Sequence, residues 1–251
     1  MTIKYFFINK PQRALFVLAC LFNIEFILGP YAPVRIDDRF DIGFVAMKSI
    51  GENLFRYGLH FWDGSVISGV VTAATAGFSL FHPAVLLSGI MPLWVVYFLW
   101  KIVAAFAAGY GMYLYLSRTL RLSSLASFCG GLMMLAVTRQ TNIFDTFQYL
   151  FPLYLYCFDR CINEQLLRNK FRYILVLTII FISALPHVTI PFIPAIHLAM
   201  IIFFVRPLGL LKKYLIWFFC VWSIYIAVQS PTLYLLISEA AYSQRIEFQR
   251  Y

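Results

Sequence analysis

An all-α, polytopic membrane protein is predicted by three properties of this 251-residue chain: 62% of its residues are hydrophobic, only 12% are charged, and apolar runs recur between short basic segments. Ordinary soluble domains carry about 25% charged residues, so there is too little polar surface here to coat a globule in water. The mean hydropathy of +0.79 agrees. About seven transmembrane helices are expected, with the N-terminus inside and the C-terminus outside, and with two amphipathic or re-entrant helices in the first outer loop.

A spanning helix takes about 20 mainly apolar residues. The first expected span covers 14–30, preceded by Lys4, Lys10 and Arg13. No small-x-small cleavage pattern follows Asn23, Glu25 and Gly29-Pro30, so it reads as a retained helix and not as a signal peptide. A large outer loop, 31–91, leads to the second span, 92–116, which ends at Arg118 and Arg121. The third, 123–138, is short and rich in Gly, Ala and Ser. The fourth, 144–158, runs into the polar segment Asp159 to Arg172. The fifth is 173–185, after which Pro186 to Pro191 is expected to make a tight outer turn. The sixth, 192–205, stops at Arg206-Pro207, and the seventh, 215–237, leaves 238–251 as an outer tail. The whole reads as one transmembrane domain over 1–251.

Orientation follows from the excess of Lys and Arg in short cytoplasmic loops. With the N-terminus inside, the inner segments hold Lys4, Lys10, Arg13, Arg118, Arg121, Arg160, Arg168, Lys170, Arg172, Arg206, Lys212 and Lys213, opposed only by Asp159 and Glu164. The outer segments mix Arg35, Arg39, Lys48, Arg56, Arg139, Arg245 and Arg250 with Asp37, Asp38, Asp41, Glu52, Asp63, Asp145, Glu239 and Glu247. The net charge of +9 is then mostly cytoplasmic anchoring and calls for no nucleic-acid partner. Cys20, Cys129, Cys157, Cys161 and Cys220 fall within spans or at the inner edge, which gives no disulfide framework. Cys157 and Cys161 lack the further ligands of a zinc site and read as helix packing.

The outer loop carries pattern. From Phe40, the residues Phe44, Val45, Met47, Leu54 and Phe55 recur near helical spacing among Lys48, Glu52 and Arg56, as expected of an amphipathic helix in the interface. Phe61-Trp62-Asp63-Gly64 reads as a turn, Gly69 to Gly77 as a flexible linker, and Pro83 to Ile90 as a second surface segment too short to span. The loop begins with Arg35, Asp37, Asp38, Arg39 and Asp41. Asp37, Asp38 and Asp41 offer oxygen ligands to a hard divalent cation such as Mg or Mn. Clustered carboxylates also raise one another's pKa toward that of a general base, and flanking arginines suit a phosphate. The plain alternative is a set of solvated charges at a membrane exit.

Glu25 and Lys101 are the acid and base that fall well inside the expected spans, Asp145 standing at the outer edge of the fourth. Such groups are expensive in a bilayer unless paired or wetted. At about 1.5 Å per residue, Glu25 stands roughly 18 Å above Arg13 and Lys101 roughly 25 Å above Arg118, a gap that tilt and a long lysine can close. Two readings remain: an intramembrane Glu25–Lys101 pair, or a Lys101 that meets a phosphate from an outward cavity. His197 reads as a polar residue bonded to a neighbouring helix. His60, His82 and His187 match no metal motif.

The order of these features resembles the GT-C glycosyltransferases, and within them the YfhO-like bacterial membrane proteins. The resemblance rests on Asp37-Asp38 after the first helix, Phe61-Trp62 before Gly-rich sequence, and Phe81-His82-Pro83 before Leu86-Leu87. Leu99-Trp100-Lys101-Ile102 leading to Gly111-Met112-Tyr113-Leu114-Tyr115-Leu116, and Ala227-Val228-Gln229-Ser230-Pro231-Thr232-Leu233, carry it further. It implies inverting transfer of a sugar from a polyprenyl-phosphate carrier at the outer face of a bacterial inner membrane, for envelope polysaccharide. It also implies an acid shortly after the first helix, here Asp38 in preference to Asp37, that takes the acceptor proton. Arg35, Arg39, Lys101, Arg139 and Arg245 are the candidate phosphate partners. Family members continue with further helices and an outer domain, so this chain is expected to match their N-terminal module, as a fragment, as a split gene product whose partner chain supplies the remainder, or as a degenerate copy. The contrasting expectation is a non-catalytic protein that binds or moves lipid-linked glycans, or assists assembly of that machinery. A secondary transporter would favour paired repeats, which the sequence does not offer.

Overall fold

The computed structural model describes residues 10–25, 44–58, 62–63, 70–71, 81–139, 146–184, 186–205 and 208–240. Helix α1 covers Pro11–Phe22, α2 Phe44–Tyr57, α3 Pro83–Ser88, and α4 Leu93–Leu114, continued by a π-helical segment Tyr115–Thr119. Then follow α5 (Ser124–Arg139), α6 (Thr146–Asn163), α7 (Leu167–Ile182), α8 (Pro186–Phe204) and α9 (Leu208–Ala240). A two-residue antiparallel ladder pairs β1 (Trp62–Asp63) with β2 (Val70–Val71), Trp62 opposite Val71 and Asp63 opposite Val70. The architecture is thus helical, as its composition requires.

Each of the seven apolar segments expected to span overlaps one helix, α1 or one of α4 to α9. Two stretches, Leu93–Thr119 and Gly209–Tyr234, are long and apolar enough to cross a bilayer by length and composition. Their 27 and 26 residues rise about 40 Å, against roughly 30 Å of hydrocarbon. Pro11–Phe22, Ser124–Thr138 and Ile193–Phe203 are shorter apolar helices. Large apolar side chains stand exposed along α4, α5 and α9, among them Val103, Met133, Val137, Ile216, Phe219 and Ile226. A helix on the surface of a soluble protein turns polar residues outward, so these faces suit lipid.

The chain forms two compact units, Met1–Val34 with Trp94–Ile180, and Arg35–Leu93 with Phe181–Tyr251. In the first, Leu15 and Ala19 of α1, Ala105 of α4 and Leu135 of α5 make a buried cluster. Small residues let the backbones come together, which is how helices associate without a hydrophobic driving force between them. A Cβ on Gly109 would meet Gly131 O at 3.0 Å, and one on Gly131 would meet Gly109 O at 2.7 Å. Gly111 likewise admits the backbone of Leu153 from α6. The π segment closes with Leu120 N donating to Tyr115 O at 3.0 Å. Arg121 then takes a φ of 57°. That left-handed residue reverses the chain into α5, whose start is capped by Ser123 Oγ accepting from Ala126 N at 3.3 Å.

In the second unit α2 packs on α3 and α8 on α9. Pro231 lies inside α9 and cannot donate to the carbonyl of Ala227. Ser230 Oγ takes that place, donating to Ala227 O at 2.8 Å.

Several expected boundaries move. Pro186 to Pro191 is not an outer turn but the beginning of α8, with Pro186 in the first helical position, where its missing N–H costs nothing. Helix α7 ends earlier, in a turn at Ser183 and Ala184, where Ala184 N donates to Phe181 O at 3.1 Å. Trp62 and Asp63, expected in a turn, lie in a strand. Helix α7 already includes Arg168, Lys170 and Arg172, because Glu164 Oε1 accepts from the N–H groups of Gln165 and Leu166 at 3.1 and 3.2 Å and opens the helix there. Helix α9 likewise starts before Leu215, at Leu208.

Candidate functional site

Lys101 sits in the apolar body of α4 and is buried. Its Nζ lies 5.9 Å from the centroid of the Tyr97 ring, one turn back on the same helix. The carboxylate of Glu25, just beyond α1, is close enough to act electrostatically on the ammonium. The first unit therefore gathers the acid and base of the expected spans within Coulombic reach of each other.

The two short helices α2 and α3 form a small platform in the second unit. Gly51 of α2 faces α3 so closely that a Cβ there would strike Val85 O, Ser88 Oγ and Gly89 N. A Cβ on Gly89 would strike the Phe55 ring and Gly51 O in turn. Polar bonds then fix the pair: Ser88 Oγ donates to Met47 O at 2.9 Å, and Lys48 Nζ donates to Ser88 O at 2.8 Å. Lys48 is also bridged to Glu52 at 3.1 Å, one turn along α2. His82 caps α3, its Nδ1 accepting from Ala84 N at 3.1 Å. The side chain is fully buried, and burial alone pushes its pKa down to about 3. A neutral ring with its proton on Nε2 is the form that can accept this bond.

Elsewhere in the second unit, Gln229 of α9 is completely buried and its Nε2 donates to Phe181 O at 2.6 Å and Ala184 O at 3.3 Å. It thereby adds a donor to carbonyls at and just beyond the end of α7, where intrahelical N–H groups run out. Trp222 Nε1 donates to His197 Nδ1 at 3.4 Å, which joins α9 to α8, and Phe218 stands 5.2 Å from the His197 ring. His197 is bonded to a neighbouring helix.

Arg35, Asp37, Asp38, Arg39, Asp41 and Arg245 lie outside the described residues. Arg139 is the last residue of α5, with its side chain outside them too. Among the described residues, no three His, Cys, Asp or Glu side chains gather to hold a metal ion. Sequence reasoning missed the role of Gln229, which depends on carbonyls more than forty positions away. It also missed the facing Gly51 and Gly89. His82 before Pro83 was a readable signal, a capping side chain ahead of a proline at the first helical position. No family model, characterised protein or solved structure matches this chain.

Proposed function

We propose that the chain is the membrane module of a GT-C type glycosyltransferase that takes a sugar from a polyprenyl-phosphate carrier at the outer face of a bacterial inner membrane. In this reading α1 and α4 to α9 cross the bilayer, with the N-terminus inside. The distribution of bases supports it. Arg13 in α1, Arg168, Lys170 and Arg172 in α7, and Lys212 and Lys213 in α9 crowd helix N-termini, where the macrodipole disfavours cations. Retention on the cytoplasmic side accounts for them.

The observation that carries the proposal is the α2–α3 platform, two short helices locked together in the connection that directly follows the acid cluster. In this scheme Asp38 accepts the proton of the acceptor hydroxyl as its oxygen bonds to the sugar C1. The bond from C1 to the carrier phosphate breaks, and the phosphate leaves with the electron pair, facing Arg35, Arg39, Arg139 and Arg245. Lys101 either joins these or remains paired with Glu25. Asp37, Asp38 and Asp41 are the residues that would hold a Mg or Mn ion, their hard oxygens fitting such a cation. The ion would supply further positive charge to the departing phosphate.

A glycan assay in cells, comparing wild type with Asp37→Asn and Asp38→Asn at equal protein levels, tests this. Loss of a general base costs about a hundredfold or more in rate, so at least one variant should lose product. Unchanged glycan in both would favour a non-catalytic protein that binds or moves lipid-linked glycans.

A further inference from the structure

We propose that the basic end of the first unit, where α4, α6 and α7 meet, is a binding site for the headgroup of an anionic phospholipid. Two arginines and three tyrosines from three helices gather there. Arg118 lies on the π-helical continuation of α4, a departure from α-helical geometry that often marks functional positions. Tyr110, two turns back, is within electrostatic reach of both Arg118 and Tyr156 of α6. Arg160 stacks over the Tyr156 ring, 5.4 Å from its centroid. Tyr156 meets Tyr173 of α7 edge to face, their ring centroids 6.1 Å apart. Among the described residues, Arg160 Nε is a buried donor with no hydrogen-bond partner.

The neighbouring acids are occupied by local contacts. Asp159 accepts from Asn163 Nδ2 at 2.9 Å and from Thr119 Oγ1 at 3.4 Å. Glu164 accepts from the backbone at the start of α7. Guanidinium donors, tyrosine hydroxyls and an orphaned buried N–H together fit a phosphate. What selects a lipid over free phosphate is the surrounding surface. Leu120, Phe171 and Leu175 stand exposed beside these charges, and Phe106, Tyr110 and Tyr113 stack in a row along α4. Basic recesses between helices at a cytoplasmic surface are where anionic headgroups dock. The site rests on the membrane orientation proposed above but is independent of glycosyl transfer.

Thermal unfolding and native mass spectrometry of the whole chain in neutral detergent test the proposal, with phosphatidylglycerol, phosphatidylcholine or inorganic phosphate added. Phosphatidylglycerol should bind saturably and raise the melting temperature, whereas the other two should not. R118Q and R160Q should each weaken phosphatidylglycerol binding by about tenfold, the scale of one charge-assisted hydrogen bond. Replacing the exposed Lys212 and Lys213 by Gln should change nothing. Equal stabilisation by inorganic phosphate, wild-type affinity in both arginine variants, or an equal loss in the lysine variant would overturn the site. Should R160Q fail to accumulate, R118Q decides, since Arg118 is exposed and its replacement leaves the core intact.

Discussion

Replacing Gly51 with alanine should pry α2 and α3 apart. The new Cβ would lie 2.6 Å from Ser88 Oγ and 2.7 Å from Gly89 N, and closer still to Val85 O. Two of these atoms are backbone, so rotating a side chain cannot relieve the clash. Overpacking of this kind costs about 1–3 kcal/mol. The shift also strains the Ser88–Met47 and Lys48–Ser88 bonds, at 2.9 and 2.8 Å, each contributing about 1 kcal/mol. A total near 3 kcal/mol corresponds to more than a hundredfold change in a local opening equilibrium. Amide exchange in detergent reads that directly: amides of α3 in the variant should exchange at least a hundredfold faster than in wild type, while those of α5 hold. Unchanged protection of α3 in the Gly51→Ala protein would refute the close approach on which the platform depends.

Acid should loosen the same platform. His82 carries a pKa near 3 when folded against 6.5 unfolded, so the unfolded state binds the extra proton and stability falls as pH drops from about 6.5 toward 3, by about 1.4 kcal/mol per unit. Exchange of α3 amides across that window checks the sign, and a flat profile would contradict it. Gln229→Leu keeps the volume but removes the donor shared by the carbonyls of Phe181 and Ala184, leaving Phe181 O only its bond from Ala184 N, and should lower stability by about 1–3 kcal/mol; an unaltered melting temperature would argue against the cap. Lys101→Met should reduce accumulation of folded protein, since it leaves the half-buried Glu25 without the opposite charge that acts on it. Adding Glu25→Gln should restore part of it, whereas full accumulation of the single variant would exclude the structural pairing.

The helices were legible because burial imposes a period. Met47, Leu54 and Phe55 at helical spacing located α2, and the apolar run after Pro83 located α3. Polar stretches carry no such signal, which is why the helical start of α7, with Arg168, Lys170 and Arg172, read as a connection. Its beginning is set by Glu164 and two backbone N–H groups. Prolines misled in the other direction: Pro186 opens a helix where a turn was expected. The Trp62–Val71 pairing joins residues nine positions apart, and no local propensity encodes it. At the candidate site, the type of Lys101 and Glu25 singled them out, but their mutual reach depends on how α1 lies against its neighbours. The acids at 37, 38 and 41 rest on sequence alone.

The facing pair Gly109 and Gly131 has a consequence for assembly. A contact made of main chain freezes no rotamers, so α4 and α5 can dock without the ordering penalty that bulky interfaces incur. Joined by a four-residue connection between Thr119 and Ser124, they form a hairpin suited to zip up early during insertion. Chimeras that exchange segments of this chain should therefore carry the stretch from Leu93 to Arg139 as one cassette, since a cut between the two glycines would separate main-chain surfaces that lie in direct contact.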